Sequence, residues 1–81
     1  MIHDLKCSIP YFTAVSSGIK RFELRFNDRD YKVGDYLKLQ EYCSVSKKYT
    51  GLFIYVEVLY ILNLSEFQDN RDNWVIMSIT L

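Results

Sequence analysis

Lys20, Glu23 and Arg25 are the residues of this 81-residue chain best placed by type and spacing to do chemistry. Lys20 stands two positions beyond Gly18. Glu23 and Arg25 share one parity of the alternating run Arg21-Phe22-Glu23-Leu24-Arg25-Phe26. A guanidinium grips a phosphate or carboxylate through paired hydrogen bonds. An ammonium at a corner holds a phosphate, or acts as a base once desolvation lowers its pKa. A carboxylate between them orients either cation or accepts from a base edge. The plain alternative is a solvated strand face carrying ion pairs.

A second basic cluster, Lys47-Lys48-Tyr49, combines charge with a ring able to stack on a base, and Arg29 with Lys32 extends it. Tyr31, Tyr36, Tyr42 and Trp74 are further candidate platforms, whereas Phe22, Phe26 and Tyr60 read as core. Glu41 and Glu57 fall on otherwise apolar strand faces and need partners if buried. Asp28, Asp30 and Asp35 lack the ordered spacing of a calcium loop and read as turn formers. Cys7 and Cys43 are too far apart for a CxxC motif, and with His3 as the sole histidine they complete no zinc site. They read as free thiols, and neither a metal nor a cofactor is expected.

These side chains must be held by short elements. Residues 1–7 form a first strand with His3 and Leu5 on one face. Ser8 is placed as an N-cap and Pro10 in the first turn of a helix over 10–17, which Gly18 stops. Residues 21–26 alternate as a strand, with Phe22, Leu24 and Phe26 facing the core and the charges facing out. Turns at 27–30 and 31–35 lead into a strand over 36–41, and 43–51 read as a loop. A long strand over 52–62, apolar on both faces, is expected to be central or bent. Residues 63–73 are polar and turn-rich, with a helical turn near Ser65–Phe67. Residues 74–81 close the chain as a strand. The expected architecture is mainly β with one or two short helices, curled into a small barrel that protects its edges by closing on itself.

Ten basic residues balance ten acidic ones, so the formal net charge is zero. That argues against a dedicated duplex binder coating many phosphates and against a purely electrostatic membrane anchor. Hydrophobic residues make up 49% and charged residues 25%, the balance of a folded domain rather than a disordered one. The length suits a single domain over 1–81. The first ten residues contain Asp4, Lys6 and Pro10 and no long apolar run, so neither export nor membrane spanning is expected. A reducing, cytoplasmic setting follows as an expectation.

Gly18-Ile19-Lys20-Arg21-Phe22-Glu23-Leu24-Arg25 resembles the Gly-x-Lys-x-x-Glu-x-Arg signature of ASCH domains in the PUA-like superfamily. The segment 27–35 resembles the stretch leading to that family's Val-Gly-Asp turn, here Val33-Gly34-Asp35. Tyr49-Thr50-Gly51 and the closing Val75–Ile79 are similar to those of a small bacterial and phage subfamily. The resemblance implies a compact PUA-like β-barrel and a role around RNA or nucleotides.

The leading expectation is therefore an RNA- or nucleotide-binding module, with Lys20, Glu23 and Arg25 at the ligand and Lys47, Lys48 and Tyr49 adding a loop contact. A small hydrolase acting on a modified nucleoside is the alternative. The related amidohydrolases use a Lys–Thr–Glu constellation. Lys20 would be its lysine, but Glu23 stands where the threonine nucleophile belongs, and Glu57 is the candidate for the distant glutamate. A protein-interaction adaptor, using a sheet edge or aromatic patch, is the third expectation.

Overall fold

The computed structural model describes residues 1–67 and 73–81. The chain runs β1 (Ile2–Ser8), α1 (Ile9–Ser16), β2 (Phe22–Phe26), β3 (Tyr36–Cys43) and β4 (Lys48–Asn63). A 3-10 turn at Leu64–Glu66 and β5 (Trp74–Thr80) complete it. All five strands form one curled sheet in the order β1-β3-β4-β5-β2. β1 runs parallel to β3, and every other neighbouring pair is antiparallel. The parallel pair is possible because α1, β2 and the following turns intervene, giving the chain room to cross over.

The sheet is a half-barrel rather than a closed one. β1 and β2 are its two edges, and no ladder joins them among the described residues. Arginine side chains span the seam instead. Arg25 Nη2 donates to the Lys6 carbonyl at 2.9 Å, and Arg29 Nη1 donates to the Asp4 carbonyl at 2.9 Å. Strand-forming residues were therefore enough to curl the sheet, while closure passed to side chains.

The concave face carries the core. Leu37 and Leu39 of β3, Val56 and Val58 of β4, and Val75 and Met77 of β5 are almost fully buried. Each such side chain contributes about 1.5–3 kcal/mol relative to exposure. Leu5 and Cys7 join them from β1, and Phe12 and Val15 pack down from α1. The long strand β4 is central, as its two apolar faces require. A register shift between Val58 and Tyr60 bulges the strand, so that Ile61 rather than Tyr60 turns to the core. Tyr60 is correspondingly exposed, against its assignment to the core.

At the other end of β4 the expected loop over 43–51 is mostly strand, since β4 begins at Lys48. Thr50, Gly51 and Leu52 lie within a second irregularity opposite Glu41, with Gly51 at φ +96°. The Thr50 hydroxyl donates to Glu41 Oε1 at 2.7 Å, which gives that acid its partner. The helix starts from Ser8 in extended conformation, with Pro10 in the first turn and no side-chain cap. It stops at Gly18, φ +82°, where the amides of Ile19 and Lys20 both return to the Ala14 carbonyl. Asn63 caps the 3-10 turn through Ser65 N–H, while residues 68–72 of the expected polar stretch lie outside the described ones.

Candidate functional site

β2 inverts the expected inside and outside. Its alternation is as the sequence reads, but Glu23 is the buried row, 3% exposed, and Phe22, Leu24 and Phe26 are 48%, 49% and 45% exposed. An edge strand can turn a carboxylate inward when cations neutralise it on the spot. Lys20 Nζ donates to Glu23 Oε1 at 2.8 Å and to the Phe22 carbonyl at 2.9 Å. Arg25 Nε donates to Glu23 Oε2 at 2.9 Å, leaving its terminal nitrogens toward the seam. Helix termination at Gly18 fixes the corner from which Lys20 reaches back. The three sequence-selected residues thus form one network, with Glu23 beneath and two cations above it.

That network floors a groove of about 600 Å³ on the α1 side of the seam. β1 brings Lys6 and Cys7 to it, α1 brings Tyr11, and β3 brings Tyr42. Lys6 Nζ lies 4.2 Å from the centre of the Tyr42 ring, and Lys20 Nζ lies 4.8 Å from that of Phe22. Three cations and one carboxylate therefore line the groove among aromatic rings, with Lys20 and Arg25 bonded to Glu23 and Lys6 over Tyr42. These cation–π contacts add to the bonds that hold the cations in place. Burial pushes the Cys7 thiol up, the Glu23 carboxylate adds to that, and Arg25 and Lys20 oppose it. Cys7 is a wall of the groove and a poor nucleophile.

The second sequence-selected cluster falls outside the groove. Lys47, in left-handed conformation at φ +57°, ends the β3–β4 turn and Lys48 opens β4, and neither lines the groove. Tyr49 reaches it at one remove, its ring packing edge-on against Tyr42 at 5.1 Å. Of the other expected platforms, Tyr36 and Trp74 are exposed. Tyr31 is buried at 4%, its ring edge-on to His3 at 4.8 Å, and burial raises its phenol pKa. Phe22 and Phe26, expected in the core, rim the seam instead. Lys6, Tyr11 and Phe22 were not singled out as groove residues, since only the approach of β1, α1 and β2 in space unites them.

Glu57 pairs across the sheet with Tyr36 and Thr80 and does not line the groove. Asp35 is more than a turn former. Its buried carboxylate accepts from His3 Nε2 at 2.8 Å, from Lys32 N–H at 3.0 Å and from the Met1 ammonium at 3.2 Å. These bonds, the His3 one foremost, hold its pKa down at about 2 against the opposing effect of burial. His3 on the inward parity of β1 was the signal available for this pair. Cys7 and Cys43 are both free thiols. No metal-binding cluster occurs among the described residues, and no helix there is long and apolar enough to cross a membrane.

Residues 2–79 match the family described as a domain of unknown function, DUF3850. A relative from Escherichia phage P2, described as "Uncharacterized 12.9 kDa protein in GpA 3'region", is 35% identical over 69 residues. The match covers 85% of this chain and 62% of the phage protein, so the chain spans less than two thirds of that relative's length. The chain belongs to the DUF3850 family. This overturns the ASCH and PUA-like assignment made on Gly18–Arg25. The motif failed as a family signature because a helix stop followed by an alternating strand with a paired carboxylate is a general structural solution.

Proposed function

We propose that this domain is a binding module for a nucleotide-like ligand, anionic at one end and ring-shaped at the other. The observation that carries this reading is the groove lined by Lys6, Lys20 and Arg25 with one acid, Glu23, bonded to the latter two, between Tyr11, Phe22 and Tyr42. Phosphate suits the free guanidinium edge of Arg25 and the ammonium of Lys20, and a base suits the ring of Tyr42. Glu23 acts as the positioning residue. With both its oxygens engaged by cations it does not serve as a general base, which weighs against the hydrolase reading. The free thiols fit a reducing, cytoplasmic setting.

The test is an amide chemical-shift titration of labelled protein with the four ribonucleoside monophosphates and with a short single-stranded RNA. Saturable shifts at Lys6, Lys20–Arg25 and Tyr42 are the expected result. Absence of shifts at millimolar nucleotide and high RNA concentration would defeat the reading.

A further inference from the structure

A second, smaller cavity of about 280 Å³ lies along the same seam on the opposite side of Arg25. Arg25 and Leu24 line both cavities, so the two are consecutive stations along one track. The second station resembles the first in combining rings, cations and one acid, here Asp28. Trp74 and Phe26 supply rings, packed edge-on at 5.8 Å, and Arg29 supplies a cation held by the Asp4 carbonyl. Trp74 begins β5 and pairs directly with Phe26 of β2, which fixes both rings beside the seam.

The repetition has a chemical meaning. A single nucleotide needs one ring platform and one phosphate contact, and the first groove supplies both. Two ring platforms separated by a guanidinium match a polymer whose flat groups alternate with anions. We propose that the β1–β2 seam binds a single-stranded oligonucleotide, one base at Tyr42, the next at Trp74, and the intervening phosphate on Arg25. This extends the nucleotide-binding reading and rests on it. It also accounts for the outward row Phe22, Leu24 and Phe26, which an isolated half-barrel would have no reason to leave exposed. Arg25 then has two duties, latching the seam through Lys6 and presenting its remaining N–H groups to the strand.

Trp74 is the sole tryptophan of the chain, so its fluorescence reports the second station alone. Titrations would use uridine monophosphate, the dinucleotide UpU, single-stranded oligouridylate, the matching DNA, and a short oligoglutamate peptide. The monophosphate is expected to shift Lys20 and Tyr42 amides while leaving Trp74 emission unchanged. UpU and the longer strands are expected to alter Trp74 emission and to bind about tenfold or more tighter, as one added stacking contact allows. Trp74→Leu and, separately, Arg29→Gln should remove that gain and leave monophosphate binding intact.

Equal affinity for monophosphate and UpU, with Trp74 silent, would overturn the two-station proposal while leaving the nucleotide reading standing. Failure of every nucleotide to bind would overturn both. Oligoglutamate binding as tight as that of the strands would show that charge alone is recognised and would also overturn the proposal. Comparison of the RNA and DNA arms identifies which sugar the seam accepts.

Discussion

The guanidinium of Arg25 reaches from β2 to the main-chain carbonyl of Lys6 on β1 at 2.9 Å, joining two strand edges that share no ladder. The same side chain spends its Nε on buried Glu23. One residue thereby links the closure of the half-barrel to the charge balance of the groove. Arg25→Lys keeps the charge but cannot make both contacts in a planar fork. Amide hydrogen exchange along β1 and β2 should accelerate in that variant, with a local opening free energy lower by about 1–2 kcal/mol. Unchanged protection of both strands would contradict the latch.

Glu23 should be costly to remove. Glu23→Ala strands two cations over a buried site with no counter-charge, and a loss of about 2–3 kcal/mol in urea denaturation is expected. The partial exposure of Lys20 and Arg25 keeps the cost below that of a fully buried triad. Glu23→Gln retains an acceptor and should lose less.

How far this network was legible beforehand turns on β2. Alternation over residues 21–26 announces a strand, but a period of two carries no sign, and hydrophobicity alone points the apolar row inward. The sign is set by what lies opposite each row, here the crossing of β1, which no local pattern encodes. The same limit applies to Tyr31 and Tyr60. Tyr31 enters the core beside His3, whereas the bulge at Val58/Tyr60 expels Tyr60. Gly18, by contrast, could be read locally, because a helix stop needs only the residue and its neighbours. Lys20, Glu23 and Arg25 stand out by residue type and spacing together with the Gly18–Arg25 resemblance, and the fold joins them in one ion-pair network, while Lys6, Tyr11 and Tyr42 come from elements distant in sequence. Lys47 and Lys48 carry the same charge type but lie outside the groove lining, since a local run of cations says nothing about which cavity it overlooks.

Gly18 itself is open to test. Apart from its immediate chain neighbours, no atom would lie within 4 Å of a Cβ at this position, so the cost of Gly18→Ala comes from its φ of +82°. A loss of about 1 kcal/mol in thermal or urea unfolding is expected. A much larger loss would mean that the helix end is held by packing rather than by backbone conformation.

Asp35 gives the fold an acid limit. Its folded pKa of about 2 lies below the ordinary aspartate value of 3.8, so the unfolded chain takes up a proton first as pH falls. The stabilisation is fully present above that unfolded value and is lost as pH drops through 3.8 toward 2. Thermal unfolding from pH 6 down to about 2 should show a falling Tm over that window. Asp35→Asn should be destabilised at neutral pH by about 2 kcal/mol and should flatten the acid decline.

The two thiols should separate by reactivity. Cys7 is buried and its pKa is raised, chiefly by that burial. Cys43 is half-buried, and hydrogen bonding from the Ser46 side chain, then from the Ser46 and Val45 backbone, lowers its pKa. Thiolate is the reactive species, so alkylation near neutral pH should modify Cys43 first and Cys7 only after unfolding. Peptide mass spectrometry after a time course of iodoacetamide reads this directly. Cys7 labelling at the rate of Cys43 would mean that the groove wall opens on that timescale.

The Lys47–Lys48 turn and the groove make opposite claims on ligand binding, and salt separates them. A strand held by Lys20, Arg25 and Arg29 contacts few phosphates, and each contributes a slope of about −0.7 in log affinity against log salt. A slope near −2 is therefore expected, shallow for a nucleic-acid binder and consistent with a chain of zero net charge. Lys20→Met should lower affinity and reduce that slope by about one phosphate contact. The double variant Lys47→Ala, Lys48→Ala removes two exposed charges that do not line the groove. It should change affinity by less than about twofold at physiological salt, where screening acts over roughly 8 Å. If the turn variant instead lost more affinity than Lys20→Met, the ligand would lie over the β3–β4 turn and the groove would be a structural feature of the half-barrel.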